Sequence, residues 1–206
     1  MTDAVPGPGD AERHVPDPAV VAAYAALQAD AVAVLDGWEA PDPAQERLRR
    51  DYLDHLATHP DGVAKAGPPA HVTASCIVLD PTGGRVLLTL HRRANAWFQF
   101  GGHLEAADSS VWGAARREAR EESGIDILEP LPRPVQLDRH RLVGSFGACR
   151  EHLDLRYAAV APDGARSRVS AESHDVRWWP VDALPEGTGA ELAPLVSLAR
   201  DAFGLG

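Results

Sequence analysis

A chain of 206 residues, 45% apolar and 24% charged, has ordinary globular composition and room for one substantial core with a small appendage. Its formal net charge of −10 argues against a general binder of nucleic-acid polymers, which needs clustered cations to neutralise phosphates. Small phosphorylated molecules stay open, because a bound divalent ion inverts the local field whatever the global sign.

Residues 1–16 are rich in Pro, Gly and Asp and read as a disordered lead-in, with no basic stretch and apolar run of a secretory signal. From Pro18 to about residue 35 an Ala-rich, mostly apolar segment predicts a helix. Its apolar run is broken by polar side chains, so no membrane span is expected. Pro43 suits the first turn of a second helix, in which Leu48, Tyr52 and Leu56 recur every fourth residue before Pro60 and Gly62 end it. Residues 17–66 thus form a helical hairpin, expected to pack on the remainder as a cap or as a homodimer contact.

A main domain over 68–206 follows. HVTASCIVLD and RVLLTLHRR flank a turn at Pro81, Gly83 and Gly84 and read as a β-hairpin. Next come NAWFQFGGHLE, whose glycine pair allows a tight turn, a helix over about 109–123 stopped by Gly124, and strands near 134–148, 152–160 and 175–179. A last helix spans about 189–203. Strands, a central helix, more strands and a terminal helix argue for a mixed sheet covered on both faces. Cys76 and Cys149 lie in apolar, strand-like surroundings, read as buried small hydrophobes, and fit a reducing cytoplasm.

The segment with chemistry is GGHLEAADSSVWGAARREAREESGI, residues 101–125. Glu118, Glu121 and Glu122 are spaced i, i+3, i+4 and share one helix face, while Trp112, Ala115 and Ala119 form a stripe suited to close packing on a sheet. Three stacked carboxylates repel one another, a cost that hard divalent cations reverse. On the helix alone, a solvated face balanced by Arg116, Arg117 and Arg120 explains the same pattern.

This segment resembles the Nudix box, usually written GX5EX7REUXEEXGU with U a bulky aliphatic residue. Arg117-Glu118-Ala119-Arg120-Glu121-Glu122-Ser123-Gly124-Ile125 matches its second half, with a small Ala119 at one U position. The first half departs: Asp108 replaces the first glutamate, and eight residues separate it from Arg117. The resemblance implies an α/β fold, a Nudix-type α/β/α sandwich with a mixed sheet, here preceded by the helical extension. It implies a metal-dependent hydrolase of diphosphate linkages, using Mg²⁺ or Mn²⁺ on a small-molecule substrate such as a nucleoside diphosphate derivative. Glu118, Glu121 and Glu122 would bind metal with the main-chain carbonyl of Gly101, and Glu118 is the first candidate for general base. Arg117 would be a structural arginine, and Asp108 would take the supporting place of the first glutamate.

Outside the box, His91, Trp97, His103, His140, His152, Asp154 and Arg156 are candidates for substrate contact or a second metal site. In HLDLRY, strand alternation puts His152, Asp154 and Arg156 on one face. Each histidine alone also fits a hydrogen-bonded structural role, and Trp97 fits core packing. Glu172 and Asp175 are charged loop-end residues within reach of an acid's role. Two other readings compete. One is a ligand sensor or interaction protein on the same scaffold. The other is an enzyme similar to isopentenyl-diphosphate isomerases, against which Gly101 stands where that branch has a catalytic cysteine.

Overall fold

The computed structural model describes residues 17–142 and 148–206. The expected lead-in at 1–16, and residues 143–147 of the strand expected over 134–148, lie outside the described residues. Helices α1 (Pro18–Gly37) and α2 (Pro43–Thr58) precede strands β1 (Ala70–Leu79), β2 (Arg85–His91), β3 (Ala96–Phe98) and β4 (Phe100–His103). Then come α3 (Val111–Ser123), β5 (Gln136–Arg141), β6 (Glu151–Val160), β7 (Ser173–Pro180) and α4 (Leu192–Phe203).

The sheet runs β3-β2-β1-β6-β5, with β4 paired to β1 and β7 paired to β2. β1 and β6 are parallel over their whole length, whereas the other pairs are antiparallel, so the sheet is mixed. The expected hairpin is short: β1 pairs β2 only through Val78–Leu87 and Leu79–Val86, after which its other half pairs β4. That divergence curls the sheet and opens space between β2 and β4.

Side-chain alternation sorts the two faces. Val72, Ala74, Cys76 and Val78 of β1 join Leu153 and Leu155 of β6 against α1, α2 and α3. Ile77 and Leu79 point the other way and meet Leu195, Val196 and Ala199 of α4. Both faces are therefore covered, which is why β2 carries Leu87 on the side opposite Val86 and Leu88. α4 reaches only one end of its face. At the other end, the same parity of β1 places His71, Thr73 and Ser75, all buried and polar.

The N-terminal helices share the main core. Leu27, Ala31, Leu35, Tyr52 and Leu56 are buried in the same cluster as β1 and α3. Trp38 Nε1 donates to the Pro134 carbonyl (2.7 Å), Tyr52 Oη to that of Asp138 (2.7 Å), and Gln45 exchanges two hydrogen bonds with Leu137. Asp42 caps α2 by accepting from the amides of Ala44 and Gln45. Contrary to the expectation of no spanning segment, α1 is long and apolar enough by length and composition to cross a membrane. In this fold its Leu27, Ala31 and Leu35 serve instead as a packing face.

Candidate active site

The glycine pair does not make a turn. Gly101 and Gly102 lie inside β4, and neither is among the positive-φ glycines. They are required for room: a Cβ on Gly101 would sit 2.4 Å from Ser75 Cβ, and one on Gly102 would sit 2.5 Å from Glu118 Oε1. The lack of side chains lets β4 lie flat between β1 and the acidic end of α3.

α3 begins where Ser110 accepts from the Gly113 amide (2.9 Å) and Asp30 of α1 accepts from the Val111 amide (2.7 Å). Val111, Ala114, Ala115 and Ala119 bury one side of it, while Trp112 is half-buried and donates to the Pro130 carbonyl. Gly124 ends it in the left-handed region, φ 71°, as its position suggested.

The three glutamates meet different surroundings. Glu122 is buried, and its Oε2 accepts from the Gly101 amide at 3.0 Å. Burial pushes its pKa up to about 8, reinforced by the charges of Glu118, Glu172 and Glu121 and opposed by that amide. Glu118 lies one turn earlier against Gly102; burial raises its pKa too, against the pull of Arg117. Glu121 is exposed at the rim. Glu172, just before β7, adds its charge to their field from a different element.

Arg117 ties this acidic end together. Its Nε and Nη2 donate to the two oxygens of Asp108 (2.9 and 3.0 Å), a bidentate pair. Nη1 donates to Glu118 Oε1 (2.8 Å) and Glu121 Oε2 (3.4 Å), and Nη2 also reaches the His103 carbonyl (3.1 Å). Asp108 sits in the turn before α3, where it also accepts from the Glu105 amide. The Asp108 hydrogen bonds, first among several causes, hold the Arg117 pKa above its ordinary value.

Beside Glu122 opens a cleft of about 510 Å³, floored by β1 and β6 and walled by β2, β3 and β5. His91, His140, His152, Asp154 and Arg156 all line it. Asp154 accepts from Thr73 Oγ1 (3.1 Å), Ser75 Oγ (2.6 Å) and Arg156 Nε (3.2 Å). Arg156 is 2% exposed and spends its other nitrogens on Gln136 and Asp138, so it is a locked part of the floor. Burial works against charge on His140, but its Asp138 hydrogen bond (2.7 Å) and the charges of Asp154 and Asp138 outweigh it and raise its pKa. Burial lowers the pKa of His91.

Trp97 is not in the cleft. It packs edge-on against Trp179 (5.2 Å) beside the α4 cluster, and its neighbour Phe98 lines the cleft instead. Alternation along β3 allows only one parity to face inward, and the aromatic run does not reveal which. His103 leaves the cleft's lining and meets His71, Cys149 and His152 at one corner. Neither His71 nor Cys149 was a candidate. The alternation His71, Thr73, Ser75 was the available signal, since three polar residues at every second position of an apolar strand mark a polar face. Cys76, by contrast, is buried in the core as expected, and burial pushes its thiol pKa up.

A family model described as the NUDIX domain matches residues 69–198, more than half of the chain. The chain belongs to the Nudix family. By that membership it is a hydrolase of pyrophosphate linkages, as the 101–125 segment implied. An Ap4A hydrolase of C. elegans, solved as a binary complex, shares the fold with TM-score 0.53 and 18% identity, covering 65% of this chain and 97% of that one. The E. coli dihydroneopterin triphosphate pyrophosphohydrolase gives 0.51 and 17% over 63% and 92%. A MutT NUDIX hydrolase from Burkholderia pseudomallei gives 0.50 and 21% over 63% and 97%. These likenesses establish the Nudix α/β/α sandwich with its curled mixed sheet. Among curated proteins no sequence relative was found.

Proposed function

We propose that this Nudix protein hydrolyses a diphosphate linkage in a small molecule, using Mg²⁺ or Mn²⁺ held by Glu118, Glu121 and Glu122 with the Gly101 carbonyl. The observation that carries this reading is the pairing of Glu122 and Glu118 with consecutive residues of β4, where no side chain separates carboxylate from backbone. A carboxyl whose pKa is pushed up to about 8 by burial and like charge is suited to a cation, which relieves both penalties. The acids therefore fit a hard divalent ion, which would neutralise phosphoryl charge and lower the pKa of the attacking water.

The protein's own groups supply orientation. Arg117 holds Glu118 on one side and the Asp108 turn on the other, and its bond to the His103 carbonyl ties the acidic end of α3 to β4. Glu118 is the proposed base for the water, because its burial raises its proton affinity. The cleft takes the substrate body: Phe98 offers a ring, and His91 and His140 offer imidazoles for polar contacts. A nucleoside diphosphate linked to a second group is the proposed substrate class.

A screen of nucleotide sugars, dinucleotides, nucleoside triphosphates and simple diphosphates with Mg²⁺ or Mn²⁺, read by product mass, tests this. Glu122→Gln should lower turnover of the best substrate by about a hundredfold or more, the scale of losing one electrostatic contact to the transition state. Equal turnover by both proteins would remove Glu122 from the mechanism.

A further inference from the structure

We propose that His71, His103, Cys149 and His152 form a structural zinc site, separate from the acidic site, that clamps β1, β4 and β6 at one corner of the sheet. Their ligand atoms all lie within 4.8 Å of one another, and Cys149 Sγ stands 3.8 Å from His103 Nε2. In a tetrahedral zinc site the ligand atoms stand roughly 3.3–3.6 Å apart, given bond lengths of about 2.0–2.3 Å. Small side-chain rotations close that gap.

Three further observations point to a cation rather than to a hydrogen-bonded histidine cluster. His71 Nδ1 is 2.9 Å from the Pro68 carbonyl, which can only accept, so Nδ1 carries the proton and Nε2 keeps its lone pair. A carbonyl behind one ring nitrogen is also how metal-bound imidazoles are oriented. Among the described residues, the buried Nε2 atoms of His71 and His152 have no hydrogen-bond partner, an expense that coordination removes. The three rings stand mutually close, with centroids 5.1, 5.5 and 5.1 Å apart, as rings sharing one centre do.

The set is nitrogen- and sulfur-rich, which selects zinc over magnesium, and four protein ligands close the coordination sphere, which marks a structural ion. Backbone register explains the geometry: His71 is paired with His152 across β1 and β6, and His103 with Thr73, two residues on from His71. Zinc binding would release the Cys149 thiol proton to solvent. The clamp also touches the acidic site mechanically, since the carbonyl of His103 accepts from Arg117.

The test is metal analysis of the full-length protein after incubation with zinc and desalting in excess Mg²⁺, followed by Co²⁺ substitution. Wild type should retain one equivalent of zinc, and its Co²⁺ form should show a thiolate charge-transfer band. Cys149→Ser should lose that band, and Cys149→Ser and His103→Asn should each weaken zinc by about tenfold or more, with folding checked by circular dichroism. Glu122→Gln should retain zinc. No zinc in folded wild type, or equal zinc in wild type and Cys149→Ser, overturns the proposal. So does zinc lost from Glu122→Gln but kept by Cys149→Ser, which would assign the ion to the carboxylates.

Discussion

Two corners of one sheet face contrast in chemistry. At the acidic end of α3, oxygen ligands sit at graded depths, Glu122 buried and Glu121 at the rim, beside an open cleft. At the starts of β1 and β6, imidazoles and a thiol gather with their ligand atoms within 4.8 Å of one another. Both concentrate groups that are costly to bury alone. The difference lies in what relieves the cost: an exchangeable hard ion and its substrate in the first case, a resident soft ion in the second. Openness, more than the number of ligands, separates a corner built for turnover from one built for holding shape.

That contrast can be broken most sharply at Glu122, where the amide variant should abolish most activity yet leave the other corner's metal in place. A smaller effect is expected from Gly102→Ala. Its new methyl displaces the movable Glu118 carboxylate rather than backbone, so the fold should persist while kcat/KM falls by about tenfold, the scale of a misplaced group near the chemistry. Retained full activity would show that Glu118 need not lie against β4. Arg117→Lys replaces the bidentate fork to Asp108 by a single point charge and should cost about 1–2 kcal/mol in chemical denaturation. An unchanged midpoint would make that pair ornamental.

The last effect is on pH. Glu122 binds its proton more tightly in the folded state, with a pKa of about 8 against an ordinary 4.5. Its contribution is therefore complete below the ordinary value and is lost as pH rises toward 8, the reverse of a salt-bridged acid. Metal-free protein should show a Tm that falls from pH 5 to pH 8, relative to Glu122→Gln, and Mg²⁺ should flatten the slope. Parallel curves for the two proteins would reject the burial argument.

Local signals were legible and distant ones were not. The i, i+3, i+4 spacing in α3, the stop at Gly124 and the alternation of His152, Asp154 and Arg156 depend on neighbours along the chain, and the structure agrees with each. The glycine pair misled because its demand comes from Ser75 and Glu118, which no window around residue 101 contains. For Trp97 the sequence left cleft and core both open, and strand parity put it in the core. Cys149 looked like any small buried residue because its histidine neighbours come from β1, β4 and β6.

The acceptance of the Val111 amide by Asp30 has a practical outcome. Expressing only the family-matched span, 69–198, would leave Ser110 as the cap of the helix that carries the acids but remove the Asp30 bond to the Val111 amide, and would strip Leu27, Leu35, Trp38 and Tyr52 from the apolar flank they cover. Such a trimmed product is expected to be sticky along that bared flank and frayed at Val111.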